Sequence, residues 1–197
     1  MKRLFDLLFS ILILLFFFPF GLLISLLILI ESPGGVFYKQ ERVGLYGKPF
    51  YLIKFRSMKT GADKKGKLTI GMRDDRITRI GYFIRKYKLD EFPQFINVLK
   101  GEMSIVGPRP EVKEYVALYT EDQRRVLNVK PGITDYASIT YFRENELLAK
   151  SDDPTKTYIE EIMPEKIALN QKYIQRPTVG HDLKIIWLTA TKILSKK

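Results

Sequence analysis

Cysteine is absent from all 197 residues, which excludes a disulfide scaffold, a cysteine-held metal and a thiol nucleophile. Histidine occurs once, at His181, so neither a multi-histidine zinc site nor a mechanism needing two imidazoles can be assembled. Acidic residues are in short supply: 22 Asp and Glu stand against 33 Lys and Arg, a net charge of +11. That excess points to an anionic partner, whether nucleic acid, acidic lipid or a phosphorylated substrate. Internal repeats and low-complexity tracts are also missing. Hydrophobic residues make up 46% of the chain, too many for a disordered one. The length suits one domain, or a smaller domain plus a membrane element.

What is plentiful is concentrated at the start. Between residues 4 and 30 the only charge is Asp6, and polarity returns at Glu31-Ser32-Pro33-Gly34-Gly35. A cleaved signal peptide is not expected, given the length of the run, Asp6, and no small-x-small site before Glu31. A spanning helix of this length reaches roughly 40 Å, more than a ~30 Å hydrocarbon core requires. A helix that enters, bends and returns is the other reading. Pro19 removes a backbone hydrogen bond mid-run, and Gly21 loosens the chain beside it. Both flanks are basic, with Lys2 and Arg3 on one side and Lys39, Arg42, Lys48, Lys54 and Arg56 on the other. A re-entrant hairpin keeps both flanks in the cytoplasm, as the positive-inside tendency prefers. The residues alone leave both topologies open.

The remainder reads as one soluble domain. Strands are predicted over 36–40 and 50–56, joined through Gly44 and Gly47, with Lys54 and Arg56 on one face of the second strand. A lysine-rich loop covers 62–67. Helical spacing predicts helices over 75–88, 92–100 (closed by Gly101), 111–129, 164–174 and 183–195. The last carries Ile185, Ile186, Trp187 and Ile193 beside Lys192, Lys196 and Lys197, a stripe that suits a core helix or one lying on a membrane surface.

Several local patterns bear on chemistry. Residues 61–68 nearly match a phosphate-binding P-loop, but Leu68 replaces the Ser or Thr that would ligate magnesium, so a solvated loop is expected. Asp90-Glu91 sits at a predicted helix start, where adjacent carboxylates can share one site; Pro93 fits that first turn. Simple helix capping is the plain alternative. Gly107-Pro108-Arg109-Pro110 stiffens an arginine before the next helix, a receptor for a phosphate dianion or merely a tight turn. Lys54, Arg56, Arg85 and Arg109 could together hold a diphosphate; a solvated basic face would explain each separately. His181 is expected to cap or pack beside Asp182.

Taken in order, seven segments carry a resemblance. They are Lys2-Arg3-Leu4-Phe5-Asp6, Ser32-Pro33-Gly34, Lys54-Phe55-Arg56-Ser57-Met58, Asp75-Arg76-Ile77-Thr78-Arg79-Ile80-Gly81, Leu89-Asp90-Glu91-Phe92-Pro93-Gln94, the stretch from Met103 to Pro110, and Lys130-Pro131-Gly132-Ile133-Thr134. Together they resemble the bacterial sugar transferase family, the monotopic phosphoglycosyl transferases, in its minimal form. The resemblance implies an α+β fold: a re-entrant membrane hairpin over 1–33, bent at Pro19, and a cytoplasmic catalytic domain over 34–197. That domain would combine helices, some lying in the interface, with a short β-hairpin at the cytoplasmic face of the bacterial inner membrane.

The same resemblance implies Mg²⁺, a UDP-sugar donor and a polyprenol phosphate acceptor, usually undecaprenyl phosphate, with membrane lipids as partners and no nucleic acid. A homodimer is compatible with it. Asp90 falls on the nucleophile and Glu91 on its catalytic partner, the two also being the expected metal ligands. Lys54, Arg85 and Arg109 fall on basic positions of the active site and Asp182 on an acidic one; with Arg56, from the diphosphate grouping above, they are the expected substrate-binding residues. The chain differs from the common pattern at Phe18, at Asp135-Tyr136-Ala137-Ser138 and at Asn170. The expected reaction is transfer of a sugar 1-phosphate with release of UMP through an aspartyl phosphosugar, a first membrane step of glycoconjugate synthesis. A membrane-tethered nucleic-acid-binding protein is the rival, using the net charge and Tyr82, Phe83 and Tyr87. A catalytically silent scaffold is a second, opposed by the intact Asp90-Glu91 pair.

Overall fold

A computed structural model describes residues 2–62 and 74–195. The apolar run forms helix α1 (Lys2–Glu31), unbroken, with Pro19 inside it. At ~1.5 Å per residue it measures about 45 Å, long and apolar enough to cross a membrane. A turn back at Pro19 is not shown, since the helix continues on both sides of it. Asp6, Ser10, Ile24 and Ile28 are buried along one stripe, while Leu12, Phe16, Leu26 and Ile30 point outward.

Both ends of α1 are fastened to the rest of the protein. Lys2 pairs with Asp182 at 2.5 Å. The Arg3 guanidinium donates to the carbonyls of Val98 (2.6 Å) and Leu99 (3.1 Å), serving the unpaired end of a helix. At the other end, Glu31 accepts from the N–H groups of Arg79 (2.6 Å) and Ile80 (2.9 Å).

The expected hairpin forms as β1 (Phe37–Val43) and β2 (Pro49–Phe55), antiparallel with Phe37 opposite Phe55. Helix α2 (Arg79–Lys86) is shorter than the 75–88 predicted. Ile77 is instead bridged to Met58, and Thr78 caps the helix by accepting from Gly81 N at 2.9 Å. After a one-turn 3₁₀ segment (Leu89–Glu91) comes α3 (Gln94–Lys100), ended by Gly101 in the left-handed conformation as expected. Two three-residue strands, β3 (Ser104–Val106) and β4 (Gly132–Thr134), pair in parallel. Strands that short carry too little alternation to read from sequence. Their backbones approach so closely that a Cβ at Gly132 would lie 2.1 Å from Gly107 N, and one at Gly107 2.5 Å from Lys130 O. Only glycine fits either place.

The long helix predicted over 111–129 does not form. It is replaced by α4 (Lys113–Val116) and a 3₁₀ turn (Gln123–Asn128). Thr120 and Gln123 exchange side-chain-to-backbone bonds of 2.9 and 3.3 Å, a capping box that restarts the chain. Beyond β4 lie α5 (Tyr136–Thr140), α6 (Glu144–Leu148) and α7 (Pro154–Thr157). A π-turn (Tyr158–Ile162) leads into α8 (Met163–Gln175), and α9 (Val179–Leu194) closes the chain. Helix α9 begins four residues before the predicted 183 because Thr178 caps it. The near P-loop and the lysine-rich loop fall mostly outside the described residues.

Two buried side chains complete the small sheets. Asn97 on α3 accepts from Ile53 N (3.0 Å) and donates to Tyr51 O (2.8 Å), occupying the open edge of β2. Asp6 on α1 accepts from Ser104 Oγ (2.8 Å) and Ile105 N (3.3 Å), doing the same for β3. Around them Leu52, Val98, Met103, Val106 and Ile185 form the main core, joined by Phe5 and Phe9 of α1. A second cluster under α1 joins Ile24, Ile28, Phe55 and Ile84, and a third holds α8 through Val126, Leu148 and Ile162. Asn97→Leu keeps the branched shape but strands an N–H and a carbonyl of β2. It should cost about 2–3 kcal/mol, read as a lower urea midpoint at unchanged m-value.

Candidate active site

The site is built where the turn Leu89–Glu91 meets β2 and the loop after β3. Glu91 receives the Arg109 guanidinium as a two-pronged fork, Nη2 to Oε1 at 2.5 Å and Nη1 to Oε2 at 3.1 Å. Lys54, reaching out from β2, places Nζ 3.7 Å from the same Oε1. Arg109 is itself held: its N–H donates to Asp135 Oδ2 (3.1 Å) and Nη1 approaches Ile133 O (3.4 Å). Asp135 is fully buried, caps α5 through Ser138 N (2.6 Å), and accepts from Asn170 Nδ2 (2.8 Å). The close β3–β4 pairing thus aims an arginine at a carboxylate.

Asp90 differs from its neighbour in every respect that matters. It is buried, and among the described residues nothing hydrogen-bonds or pairs with its carboxyl. Burial, then the adjacent charge of Glu91, pushes its pKa up, against the pull of Lys54, Arg85 and Lys88. For Glu91, burial acts upward too, but Arg109, Lys54 and Lys88 outweigh it and hold the carboxyl well below the usual range. Burial lowers Lys54 to about 8, with Glu91 opposing. Glu91 lifts Arg109 further above its ordinary value. One carboxylate is a clamped anion; the other is unclamped and carries its charge at a cost.

Of the expected site residues, Lys54 and Arg109 meet on Glu91 beside Asp90, and Arg85 bears on Asp90 through its charge alone. Two expected substrate contacts are engaged elsewhere. Arg56 shares a strand face with Lys54 by alternation, but its guanidinium turns to Ser32 O (2.7 Å) and Pro33 O (2.6 Å), bracing the end of α1. Asp182 is buried and bonds Lys2 and Tyr173, each at 2.5 Å. His181 meets Arg176 O through Nδ1 at 2.9 Å. Asp90 and Glu91, the expected metal ligands, have no further ligand grouped with them: among the described residues no three His, Cys, Asp or Glu cluster.

Sequence reasoning missed Arg42 and Lys88. Arg42 donates to Pro110 O and to Glu111 Oε1, both at 3.1 Å, and Tyr158 bonds the other Glu111 oxygen. This steadies the loop behind Arg109. Lys88 precedes the turn with a positive φ of 56°, which no residue-type rule anticipates for lysine.

The arrangement of paired carboxylates, a forked arginine and a lysine under a long apolar helix coincides with a match along the chain. The bacterial sugar transferase profile covers residues 1–196. The chain belongs to the bacterial sugar transferase family. A relative from Escherichia coli, UDP-glucose:undecaprenyl-phosphate glucose-1-phosphate transferase, is 38% identical over 200 residues. That alignment takes in 98% of this chain and 40% of the relative, so this sugar transferase spans well under half of that protein. The uncharacterized sugar transferase EpsL of Bacillus subtilis is 41% identical, with 98% of this chain and 87% of EpsL aligned. A third, from Aeromonas hydrophila, is 35% identical over 98% of this chain and 44% of its own length. Its name is UDP-N-acetylgalactosamine-undecaprenyl-phosphate N-acetylgalactosaminephosphotransferase.

The two carboxylates should respond oppositely to neutralisation. Asp90 binds its proton more tightly folded than unfolded, so its contribution to stability falls as pH rises from the usual aspartate range through the raised value. Asp90→Asn should therefore equal or exceed the wild type in thermal midpoint at pH 7. Glu91→Gln leaves Arg109 and Lys54 without their anion. The loss should be roughly 2 kcal/mol, less than the 3–5 of a fully buried pair because Arg109 keeps 29% of its side chain exposed. Differential scanning fluorimetry on the two variants reads both signs.

Proposed function

We propose that this protein moves a sugar 1-phosphate from a UDP-sugar to a polyprenol phosphate such as undecaprenyl phosphate, releasing UMP, by way of a phosphosugar on Asp90. The observation that carries the mechanism is the contrast just described: an unpartnered, buried Asp90 carboxyl beside a Glu91 locked by two cations. The names of the relatives supply the substrate classes.

In the first half-reaction an Asp90 oxygen bonds to the phosphorus that carries the sugar, and the bond from that phosphorus to UMP breaks. UMP departs with the electron pair. In the second, an oxygen of the lipid phosphate attacks the same phosphorus and frees Asp90, leaving the sugar's own C–O bond intact. Catalysis of this kind comes mostly from positioning and charge. Glu91 fixes Arg109 and Lys54 at the turn, so two cations are in place before the diphosphate arrives and need no reorganisation. Burial keeps Asp90 poorly solvated and so more reactive once ionised. Magnesium takes one or two carboxylates plus substrate phosphates; Asp90, with no bond to its carboxyl among the described residues, would hold it, Glu91 would join only by giving up a contact to Arg109 or Lys54, and the ion would offset diphosphate charge.

The lipid acceptor explains α1. Phe17, two residues from Pro19, stacks on Phe92 with ring centres 3.8 Å apart, and Phe92 directly follows Glu91. The apolar helix thus adjoins the catalytic turn, where a polyprenol tail in lipid would bring its phosphate. Lys2 and Glu31 both bond to the same domain, which supports the monotopic reading with both ends of α1 on one face of the membrane. The exposed Leu183, Trp187 and Leu194 on α9 suit an interfacial position. The nucleic-acid reading rests on net charge and on the aromatics of α2, of which Tyr82 and Phe83 are exposed, and gives no role to the Asp90–Glu91 contrast.

Two experiments bear on this. Purified protein with Mg²⁺ and radiolabelled UDP-sugars, tried as a panel without acceptor, should retain label covalently and release UMP, and Asp90→Asn should retain none. A folded Asp90→Asn enzyme turning over at the wild-type rate would sink the assignment. The native chain has no cysteine, so single cysteines at the N-terminus and at Ser195 report topology cleanly. Both should resist an impermeant maleimide in intact cells; labelling of the N-terminal site alone would establish a spanning helix.

A further inference from the structure

Lys88 forms no ion pair with Glu91, acting on it only through its charge, yet it stands immediately before the catalytic turn. Its backbone is left-handed (φ 56°, ψ 19°), a conformation that costs a non-glycine residue on the order of 1 kcal/mol and persists only where the surroundings impose it. Here the bonds on either side impose it. Lys88 N–H donates to Arg85 O at 3.1 Å, and Lys88 O accepts from Glu91 N at 3.3 Å, tying the end of α2 to the turn.

The side chain is placed as unusually as the backbone. Nζ lies 5.5 Å from the centre of the Phe142 ring, in the short connection between α5 and α6. Its charge bears on both Asp90 and Glu91. Among the described residues the ammonium has no acidic partner and no hydrogen bond. Arg109 and Lys54 are both drawn to Glu91, so their charge is partly committed before any substrate arrives. Lys88 is a cation at the turn whose charge is not. A partly exposed ring face holds an ammonium by about 0.5–1 kcal/mol, less than a charge-assisted bond to a phosphate provides.

We propose that Lys88 is a further substrate-contacting residue, parked on Phe142 in the free enzyme and released from it to bind the nucleotide-side phosphate of the donor. The proposal rests on the transfer reading above. As the Asp90–phosphorus bond forms and the bond to UMP breaks, the departing oxygen takes the electron pair and UMP becomes a phosphate dianion. The Lys88 ammonium meets that new charge, and the step moves no proton.

The probe is UMP itself, titrated calorimetrically into the full-length protein in detergent with Mg²⁺. Lys88→Asn is the informative variant, because asparagine accepts the left-handed backbone without carrying charge. It should fold at least as stably as the wild type and bind UMP about tenfold more weakly, the size of one lost bond to a charged group. Lys88→Arg should keep most of the affinity. Phe142→Leu should leave UMP binding unchanged or tighter, since the ring competes for the ammonium. Wild-type affinity in Lys88→Asn would overturn the proposal while leaving the transfer reading standing. So would a loss in Phe142→Leu as large as that in Lys88→Asn, which would give the ring, not the lysine, the contact. A wild-type protein that binds no UMP and releases none from any UDP-sugar would overturn the transfer reading itself.

Discussion

The ion cluster on Glu91 is the point on which the catalytic end of the molecule turns. Three separate segments meet there: the turn after α2, strand β2 through Lys54, and the loop after β3 through Arg109. Each charge by itself would be expensive at that depth, and each is tolerable because the others are present. The cluster also creates the asymmetry with Asp90. By taking up both cations in ion pairs, Glu91 leaves its neighbour with only the longer-range pull of Lys54, Arg85 and Lys88, and two adjacent carboxylates acquire different chemistry from one shared arrangement.

Behind the cluster stands a chain of supports that contributes no charge to the substrate. Arg109 owes its aim to Asp135, Asp135 is held in turn by Asn170 and the start of α5, and the Pro110 carbonyl is gripped by Arg42. Two glycines let β3 and β4 come close enough for this to assemble. The stiffness expected of an arginine between two prolines is real, but it is local. Its direction comes from residues twenty-five and more positions away.

That division explains what could be read from the order of residues. The apolar helix, the hairpin, α8 and the grouping of Lys54 and Arg109 with the Asp90-Glu91 pair were legible, because each rests on local periodicity or on a short motif. The parallel pairing of β3 with β4 was not, since three residues carry no usable alternation. The break in the 111–129 segment has a local signal, since Thr120 and Gln123 have the spacing of a capping box. Arg56 and Asp182 show the limit of position-matching. Both are buried and polar where a substrate contact was expected, yet their bonds go to the ends of α1.

Asp6 carries a consequence for how the protein sits against a bilayer. Its carboxylate is bonded to Ser104 and Ile105, so α1 cannot slide along the domain without breaking those bonds. Helical geometry offers the next equivalent alignment only one turn away, about 5.4 Å. The axial position of the apolar helix is therefore quantised, and with it the height of the catalytic turn above the lipid. A single buried carboxylate works as a depth stop for the helix against the domain.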